Sequence, residues 1–365
     1  MLMNSLCFVA GTPAELIKMW PVMRRAEHAG APWSLLFTGQ TPVGALAQWR
    51  EFALPAECLD VLVDRDQDLR VAREAVHWFA RANALGNTRL RKLVRCGTKS
   101  RIVVQGDTLS TLLGATFGVR LRIPVAHIEA GLRTGSMLEP FPEEVSRRAV
   151  SRIARMHFAP EVESYAALLR EHTKGIVHMT GGNTSLDALD EARSTPVVVD
   201  LPRGDFGIVN LHRFETLISE ERKASVRKTL LRASETHQLQ IVNHATTRAW
   251  LDSEPAFTRD LERNGAAILP RQSFLRFVAW LSCAKFVICD SGGNQEECDY
   301  LGKPCLLMRL QTERPVDPAR RCVVLSKFDE DCIQSFIADP TAYAEPPRML
   351  KTRPSDLIWE ALATF

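Results

Sequence analysis

Residues 286–297 read FVICDSGGNQEE, and this stretch gives the clearest indication of the fold. The apolar run 286–289 is typical of a short strand that is buried on both faces. Gly292 and Gly293 follow where that strand would turn into a helix, and two glycines there let backbone N–H groups converge on a phosphate. Ser291 adds a hydroxyl donor, and a carboxylate in the first turn of the helix can accept both hydroxyls of a ribose. The stretch therefore indicates a nucleotide-binding turn; the alternative is a structural helix with a favourable acid near its positive end.

The same order of strand, glycine and helix occurs at the start of the chain, where residues 6–15 read LCFVAGTPAE. Thr12 and Glu15 match a capping box, and Pro13 takes the favoured first position of a helix. A strand that ends in a glycine before a helix N-terminus is a general anion-binding arrangement, and Lys18 lies one turn further along. The alternative is a purely structural helix with Lys18 in solvent.

Short apolar runs alternate with helical stretches along the chain. The predicted strands are residues 6–10, 34–38, 101–105, 124–128, 156–159, 176–179, 206–210, 240–243, 267–269, 286–289 and 305–308. The clearest predicted helices are residues 15–29, 221–235 and 274–283. This alternation predicts an α/β chain with parallel sheets.

A linker is predicted at residues 192–205, which read ARSTPVVVDLPRGD and contain two prolines and a charged turn. It separates an N-terminal Rossmann-like domain, residues 1–192, from a nucleotide-binding Rossmann-like domain, residues 206–345. Residues 346–365 end in a helix that could pack on either domain. Ligands of open α/β sheets bind at the carboxyl ends of the strands, so we expect two doubly wound domains that face each other across a cleft.

The amino-acid composition excludes several classes of protein. The chain has 365 residues, with 46 Lys and Arg against 43 Asp and Glu, a net charge of +3. This balance excludes a global field for nucleic acid or another polyanion, and the ordinary apolar content excludes disorder and coiled coil as the main architecture. No apolar run reaches the roughly 18 residues that span a bilayer. The 9 cysteines are scattered without a Cys-x-x-Cys pair, which fits a reducing cytoplasm.

Two carboxylates follow neighbouring predicted strands, Asp107 in VQGDT and Glu129 in AHIEAG. Parallel strands would bring both to the carboxyl edge of the first sheet. Carboxylates crowded in a closed cleft have raised pKa values, as proton-transfer groups require. The alternative for each is an N-cap or a surface ion pair.

Further candidates lie nearby in the sequence. Glu143 follows a proline-bracketed loop and precedes Arg147, and His212 comes just after the strand predicted at 206–210. Asp107, His127 and Glu129 could also bind a metal, but no compact ligand motif is present, so no metal is expected. A hydride-transfer enzyme is disfavoured because no G-x-G-x-x-G follows a strand.

Five segments together resemble the non-hydrolysing UDP-N-acetylglucosamine 2-epimerase family, which has a GT-B-like fold. The resemblance runs from Gly11 to about Pro315. The segments are HIEAGLRTG (127–135), PFPEEVSRR (140–148), GGNTSLDAL (181–189), CDSGGNQEE (289–297) and LGKPCLLMRLQTERP (301–315).

The resemblance implies an isomerase that inverts C2 of a UDP-sugar without an external cofactor. A base removes the C2 proton, UDP leaves, and UDP then adds back with protonation on the opposite face. It implies that Asp107 and Glu129 transfer protons, that Glu143 shares that work or positions the sugar, and that His212 supports the diphosphate. The residues implied in substrate binding are Ser291, Gly292 and Gly293 for phosphate, Glu297 for ribose, and Lys18 and Arg147 near the diphosphate. It also implies a homodimer.

The sequence departs from the family pattern at several positions. The usual Gly-Thr-Arg-Pro-Glu is Gly11-Thr12-Pro13-Ala14-Glu15, so the phosphate-binding arginine is absent. The common Gly-His-Arg-Arg becomes Leu211-His212-Arg213-Phe214, and Gln40-Thr41 replaces the Gln-His of the regulatory site. These changes keep two alternatives open, a nucleotide-sugar hydrolase or glycosyltransferase on the same fold, and a non-catalytic nucleotide-sugar binder. Retention of three carboxylates argues against the binder, because such groups are costly to bury without a task.

Overall fold

The computed structural model describes residues 5–67, 69, 71–93, 100–134, 142–213, 216, 219–312 and 316–364. The chain divides into two compact units. The first consists of Met1–Glu191 together with Lys351–Phe365, and the second of Ala192–Leu350.

The first unit is built on a parallel sheet flanked by helices. Its described strands are Leu6–Ala10 (β1), Trp33–Phe37 (β2), Leu59–Val61 (β3), Arg101–Gln105 (β4), Val125–Ile128 (β5), Met156–Ala159 (β6) and Ile176–Met179 (β7). Its described helices are Pro13–His28 (α1), Ala47–Glu51 (α2), Ala72–Leu93 (α3), Leu109–Leu121 (α4), Glu143–Ile153 (α5), Val162–Arg170 (α6) and Thr184–Ser194 (α7), which runs into the start of the second unit. Within the described residues the sheet has seven strands in the order β3-β2-β1-β4-β5-β6-β7.

The second unit repeats this plan with a smaller sheet. Its described strands are Phe206–Asn210 (β8), Gln238–Asn243 (β9), Ala267–Pro270 (β10), Phe286–Cys289 (β11), Cys305–Leu307 (β12) and Val323–Leu325 (β13). Its described helices are Glu220–Thr236 (α8), Ala245–Ser253 (α9), Pro255–Arg263 (α10), Phe274–Cys283 (α11), Gly292–Leu301 (α12) and Glu330–Ala338 (α13). Among these strands the order is β10-β9-β8-β11-β12-β13.

The predicted α/β architecture with two doubly wound, Rossmann-like domains is confirmed. Each predicted strand forms, because strands such as β1, β4 and β11 are buried along their whole length and need continuous apolar runs. The prediction missed β3 and β13, which have three residues each and lie at sheet edges. Three residues are fewer than the roughly four to eight that mark a strand in a sequence, so the signal is weak.

Both sheets reverse their strand order at one place. In the first sheet β1 pairs with β2 on one side and β4 on the other, and in the second β8 pairs with β9 and β11. Connections on opposite sides of such a switch point diverge and leave a crevice at the carboxyl ends of the two central strands. The residues that follow β1 and β4, and those that follow β8 and β11, are therefore where a ligand is expected in each unit.

The C-terminal helix, Pro354–Thr364 (α14), belongs to the first unit and packs against α1. Asp187 of α7 accepts a hydrogen bond from Ser355 N at 2.6 Å, in the first turn of α14. Burial raises the pKa of the Asp187 carboxyl. Arg25 of α1 forms an ion pair with Asp356. Side chains of α7 and α1 thus fix the start of α14. Asp187 satisfies a backbone N–H of the helix and Arg25 the charge of Asp356, both of which would otherwise need water.

None of the helices in the described part of the chain combines the length and the apolar character that a membrane crossing requires.

Candidate active site

The turn after β1 is organised by Glu15, which is buried at 1% exposure. Its carboxylate accepts hydrogen bonds from Gly11 N and Thr12 N, both at 2.9 Å, and from Thr108 Oγ1 at 2.6 Å. The predicted capping box of Thr12 and Glu15 is present, with Pro13 as the first residue of α1. Burial raises the pKa of Glu15, and these hydrogen bonds oppose that rise. Glu15 therefore joins the end of β1 to the start of α4, on the two sides of the switch point.

Gly11 is required at this turn for steric reasons. A Cβ added to it would lie 2.0 Å from Ser110 Oγ and 2.2 Å from Thr38 Oγ1. Those two hydroxyls hydrogen-bond each other at 2.7 Å, so segments after β1, β2 and β4 meet around the glycine. The glycine that the sequence indicated as part of an anion site is thus also a packing residue.

Glu129 lies in the turn after β5 and is 7% exposed. Lys18 Nζ, from the second turn of α1, is 2.6 Å from Glu129 Oε2, and Gln105 at the end of β4 donates to the same oxygen. Asn183, just before α7, donates to Glu129 Oε1 at 2.6 Å. Donors from three elements therefore surround a carboxylate at the carboxyl edge of the sheet. The sequence predicted Lys18 and Glu129 but missed Gln105 and Asn183.

Asp107 follows β4 and forms an ion pair with Arg147 of α5, whose Nε is 2.9 Å from Asp107 Oδ2. Arg147 Nη1 also contacts Glu144 Oε2 at 3.2 Å, and Glu144 is fully buried. Desolvation alone would lower the pKa of Arg147, but attraction to Asp107 and Glu144 outweighs it and raises that pKa. The ion-pair alternative considered from the sequence is thus realised for Asp107, as it is for Glu129 with Lys18.

Glu143 is the first residue of α5 and lies one turn before Arg147. Its Oε2 is buried, and the described residues supply it with no hydrogen-bond partner. Gly135 and residues 140–141, which belong to two of the segments that carry the family resemblance, lie outside the described residues.

His127 of β5 hydrogen-bonds to the backbone turn after β4. Its Nε2 lies 2.7 Å from Gly106 O, and because a carbonyl only accepts, the ring nitrogen is the donor. Burial lowers the pKa of His127 to about 4, so the ring is neutral. The part of the chain that the structure describes brings together no group of three or more His, Cys, Asp or Glu side chains that could hold a metal ion.

In the second unit, Ser291 is the N-cap of α12, and its Oγ accepts from Asn294 N at 3.5 Å. Gly292 is buried and Gly293 is exposed. Among the described residues, a Cβ added to Gly293 would meet only Ser291 Oγ, at 3.6 Å. Neither the backbone conformation nor protein packing therefore requires glycine at 293, and the space in front of it is open to a ligand.

Glu297 is placed differently from the prediction. Helix α12 begins at Gly292, and its first turn holds no acidic residue, so Glu297 lies in the second turn. Asn294 Nδ2 donates to Glu297 Oε2 at 2.8 Å. Burial raises the pKa of Glu297 to about 7. The Glu297 carboxylate thus lies one helical turn beyond the predicted phosphate-binding turn, where the N–H groups of the first turn do not stabilise it.

A chain of hydrogen bonds extends from Glu297 across the switch point of the second sheet. Asn210 Nδ2, at the end of β8, donates to Asn294 Oδ1 at 2.7 Å. Asn210 Oδ1 in turn lies 2.7 Å from His244 Nε2. Burial lowers the pKa of His244 to about 4. No sequence signal pointed to this network, because its members come from two separate strand ends and a helix.

His212 is held by Asp290, which is fully buried after β11. The backbone N–H groups of His212 and Arg213 donate to Asp290 at 3.0 and 2.9 Å. The His212 ring contacts the His244 ring with centroids 4.7 Å apart and planes tilted by 39°, and His212 Nδ1 is 3.8 Å from Asp290 Oδ1. Burial lowers the pKa of His212, while Asp290 opposes that change. Asp290, to which the sequence assigned no role, therefore positions the histidine loop beside the phosphate-binding turn.

Known proteins with similar sequences identify the family of this chain. A family model described as UDP-N-acetylglucosamine 2-epimerase matches residues 69–353. This chain belongs to the UDP-N-acetylglucosamine 2-epimerase family. It is 30% identical over 345 residues to the UDP-N-acetylglucosamine 2-epimerase of Bacillus subtilis, covering 92% of this chain and 87% of that protein. It is 33% identical over 263 residues to that of Yersinia pestis, covering 68% and 70%.

A solved structure supports the same assignment. The crystal structure of UDP-GlcNAc 2-epimerase from Neisseria meningitidis bound to UDP-GlcNAc aligns with a TM-score of 0.76 and 26% identity, covering 99% of both chains. The family resemblance stated from the five sequence segments is confirmed.

Each unit contains some of the residues that the sequence analysis named as site candidates. Those in the first unit are Lys18, Asp107, Glu129, Glu143 and Arg147, and those in the second are His212, Ser291, Gly292, Gly293 and Glu297. Asp107, His212 and Ser291 follow strands that border a switch point, whereas Glu129 follows β5. The other residues lie in the first two turns of α1, α5 and α12. Where the family pattern has an arginine, Pro13 opens α1, so no guanidinium reaches this turn from that position.

Proposed function

We propose that this protein is a sugar-nucleotide 2-epimerase that interconverts UDP-N-acetylglucosamine, or a modified relative, and its manno epimer. The observation that carries the proposal is the Glu129 carboxylate, which Lys18, Gln105 and Asn183 hold at the carboxyl edge of the first sheet. Membership of the epimerase family supplies the substrate class.

The reaction needs two proton-transfer groups on opposite faces of the sugar. In the proposed mechanism one of Asp107 and Glu129 accepts the C2 proton as the C1–O bond to UDP breaks and a C1–C2 double bond forms. The other returns a proton to C2 from the opposite face as UDP adds back to C1, so protons and electrons balance. General acid–base catalysis of this kind contributes about 10²–10⁴-fold. Glu143, whose Oε2 has no described partner, positions a sugar hydroxyl in this proposal.

The second unit holds the nucleotide in the proposed mechanism. The N–H groups of the turn from Ser291 to Gly293 bind the phosphate, where the N-terminus of α12 favours negative charge. Glu297 accepts a hydrogen bond from the ribose through Oε1, the oxygen to which Asn294 does not donate. His212 donates to the departing diphosphate, whose charge favours the protonated ring. Fixed donors of this kind stabilise the leaving group without reorganisation.

A nucleotide-sugar hydrolase is the second candidate, and Pro13 is the observation that favours it. Without a guanidinium at this turn, UDP loses a charged hydrogen bond worth about 1.5–3 kcal/mol. When UDP escapes, the sugar is left with a C1–C2 double bond. Water that adds to C1 as C2 is protonated then gives the free sugar instead of the epimer.

The two candidates are separated by incubating the pure protein with UDP-N-acetylglucosamine in deuterated water and following the proton NMR spectrum. Deuterium at C2 together with the manno epimer supports the epimerase. Free UDP and free sugar without the epimeric nucleotide support the hydrolase. Binding with neither change would contradict both and leave a nucleotide-sugar binder. An Asp107→Asn protein run in parallel controls for contaminating activity.

A further inference from the structure

The Glu129 carboxylate accepts a hydrogen bond from a side chain at the start of α7, far away in the sequence. Asn183 Nδ2 donates to Glu129 Oε1 at 2.6 Å, although 54 positions separate the two residues. Asn183 is 8% exposed and Glu129 is 7% exposed, so little water competes for this contact. Hydrogen bonds in a shielded environment are stronger than the same bonds in solvent, and those to a charged acceptor are stronger still.

The orientation of the Asn183 amide is fixed by the backbone. Its Oδ1 accepts a hydrogen bond from Ser185 N at 3.2 Å, in the first turn of α7. A backbone N–H can only donate, so the amide oxygen must face Ser185 and the amide nitrogen must face Glu129. Asn183 therefore acts at once as the cap of α7 and as a donor to the carboxylate. An amide nitrogen that faces a carboxyl group favours its ionised form.

The backbone conformation of Glu129 indicates that the surrounding structure constrains this residue. Its φ is 61°, in the left-handed region that residues with a side chain rarely adopt. Neighbouring strands hold this turn, since Ala130 N donates to Phe158 O at 2.9 Å and Gly106 N to Ile128 O at 3.0 Å. Such strain persists only where the surrounding structure imposes it, and it concentrates at functional sites.

We propose that Asn183 is a positioning residue: helix α7 fixes its amide, and the amide holds the Glu129 carboxylate ionised and aimed for proton transfer. This inference rests on the proposed function, in which Glu129 is one of the two proton-transfer groups. Gln105 and Lys18 hold the second oxygen, so the carboxylate is fixed through both oxygens.

The test uses Asn183→Asp in the full chain. Aspartate still offers an oxygen to Ser185 N, so the cap of α7 is kept, but it turns a carboxylate instead of a donor toward Glu129. We expect a kcat at least about 10-fold lower, with KM nearly unchanged. The acidic limb of the kcat–pH profile should move up by about 1 pH unit or more, because a like charge favours the protonated carboxyl.

The matched control is Ser185→Ala, which leaves the Ser185 backbone N–H and both hydrogen bonds of Asn183 in place. It should keep the kcat and the pH profile of the natural protein. If Asn183→Asp loses its cooperative thermal transition, Asn183→Ser replaces it in the test. Serine also offers a cap oxygen but cannot reach Glu129. We then expect the acidic limb of the kcat–pH profile to move in the same direction by a smaller amount.

A second readout does not depend on activity. Protein labelled with ¹³C at the glutamate side-chain carboxyl is titrated by NMR, and the Glu129 resonance is assigned by its loss in Glu129→Gln. Its midpoint should rise by about 1 pH unit in Asn183→Asp and stay constant in Ser185→Ala. An unchanged midpoint in a folded Asn183→Asp protein overturns the inference. Absence of C2 exchange in the natural protein would instead count against the proposed function, and the titration would still decide the role of Asn183.

Discussion

Lys18 Nζ lies 2.6 Å from Glu129 Oε2, although 111 positions separate the two residues in the chain. The ammonium is partly exposed, with 22% of its side chain accessible, and the carboxylate is nearly buried at 5%. The cation therefore compensates a charge that would otherwise be expensive to hold at the sheet edge.

Replacing Lys18 with methionine tests this pair. Methionine keeps the length of the side chain but removes the charge, so we expect kcat/KM for C2 exchange to fall by about 10–100-fold. Lys18→Arg keeps a cation and should retain more activity than Lys18→Met. Equal activity in the two variants would show that the charge of Lys18 plays no part in the reaction.

Asp107→Asn should lower turnover by about 10²–10⁴-fold, because asparagine keeps a hydrogen-bond acceptor for Arg147 but cannot take a proton. UDP affinity, measured by calorimetry, should stay close to that of the natural protein, since Asp107 acts on the sugar in the proposed mechanism. A variant with normal turnover would remove Asp107 from the mechanism.

Gly293→Ala should separate ligand binding from folding. A Cβ at 293 would meet only Ser291 Oγ, at 3.6 Å, and alanine favours a helix over glycine by about 1 kcal/mol. We therefore expect Tm to stay constant or rise, while the Kd for UDP increases because the methyl group occupies the space of the phosphate.

The contrasting control is Gly11→Ala, whose Cβ would lie 2.0 Å from Ser110 Oγ. That variant should lower Tm, because the chain segments around Gly11 must move apart. Normal UDP affinity in Gly293→Ala would place the phosphate elsewhere.

The pKa of Glu297, raised by burial to about 7, predicts two pH effects. Since the folded protein holds this proton more tightly than the unfolded chain, the stability that it contributes is complete below the unfolded pKa and is lost as pH rises toward 7. Glu297→Gln should therefore have a higher Tm than the natural protein at pH 8 and a similar Tm near pH 4.

UDP binding should also depend on Glu297 in the proposed mechanism. The ionised carboxylate accepts hydrogen bonds from the ribose better than the acid does, so affinity should rise as pH passes through about 7. Calorimetric titrations of Glu297→Gln should show this part of the pH dependence removed. A Tm difference that is constant across pH would mean that Glu297 does not titrate in this range.

The strand signals in the sequence predicted the α/β class and the central strands of both sheets, but not the edge strands β3 and β13. The apolar runs at β1, β4, β8 and β11 gave the central strands, and the glycines after β1 and β11 gave the turns at both switch points. The position of Glu297 was misjudged by one helical turn, because the sequence does not show that Gly292 and Gly293 belong to the helix and not to the turn before it.

The sequence by itself determined the fold class and the family, since burial of both faces of a parallel sheet demands apolar runs, and the five family segments can be read along the chain. The reactive side chains that it indicates stay a prediction. Tertiary structure alone decided the partners of those side chains: Lys18, Gln105 and Asn183 on Glu129, Arg147 on Asp107, and Asn210 with Asn294 behind Glu297. The reason is physical. These contacts join residues tens of positions apart through strand order and helix placement, and neither spacing nor periodicity along a chain encodes which strand ends will meet.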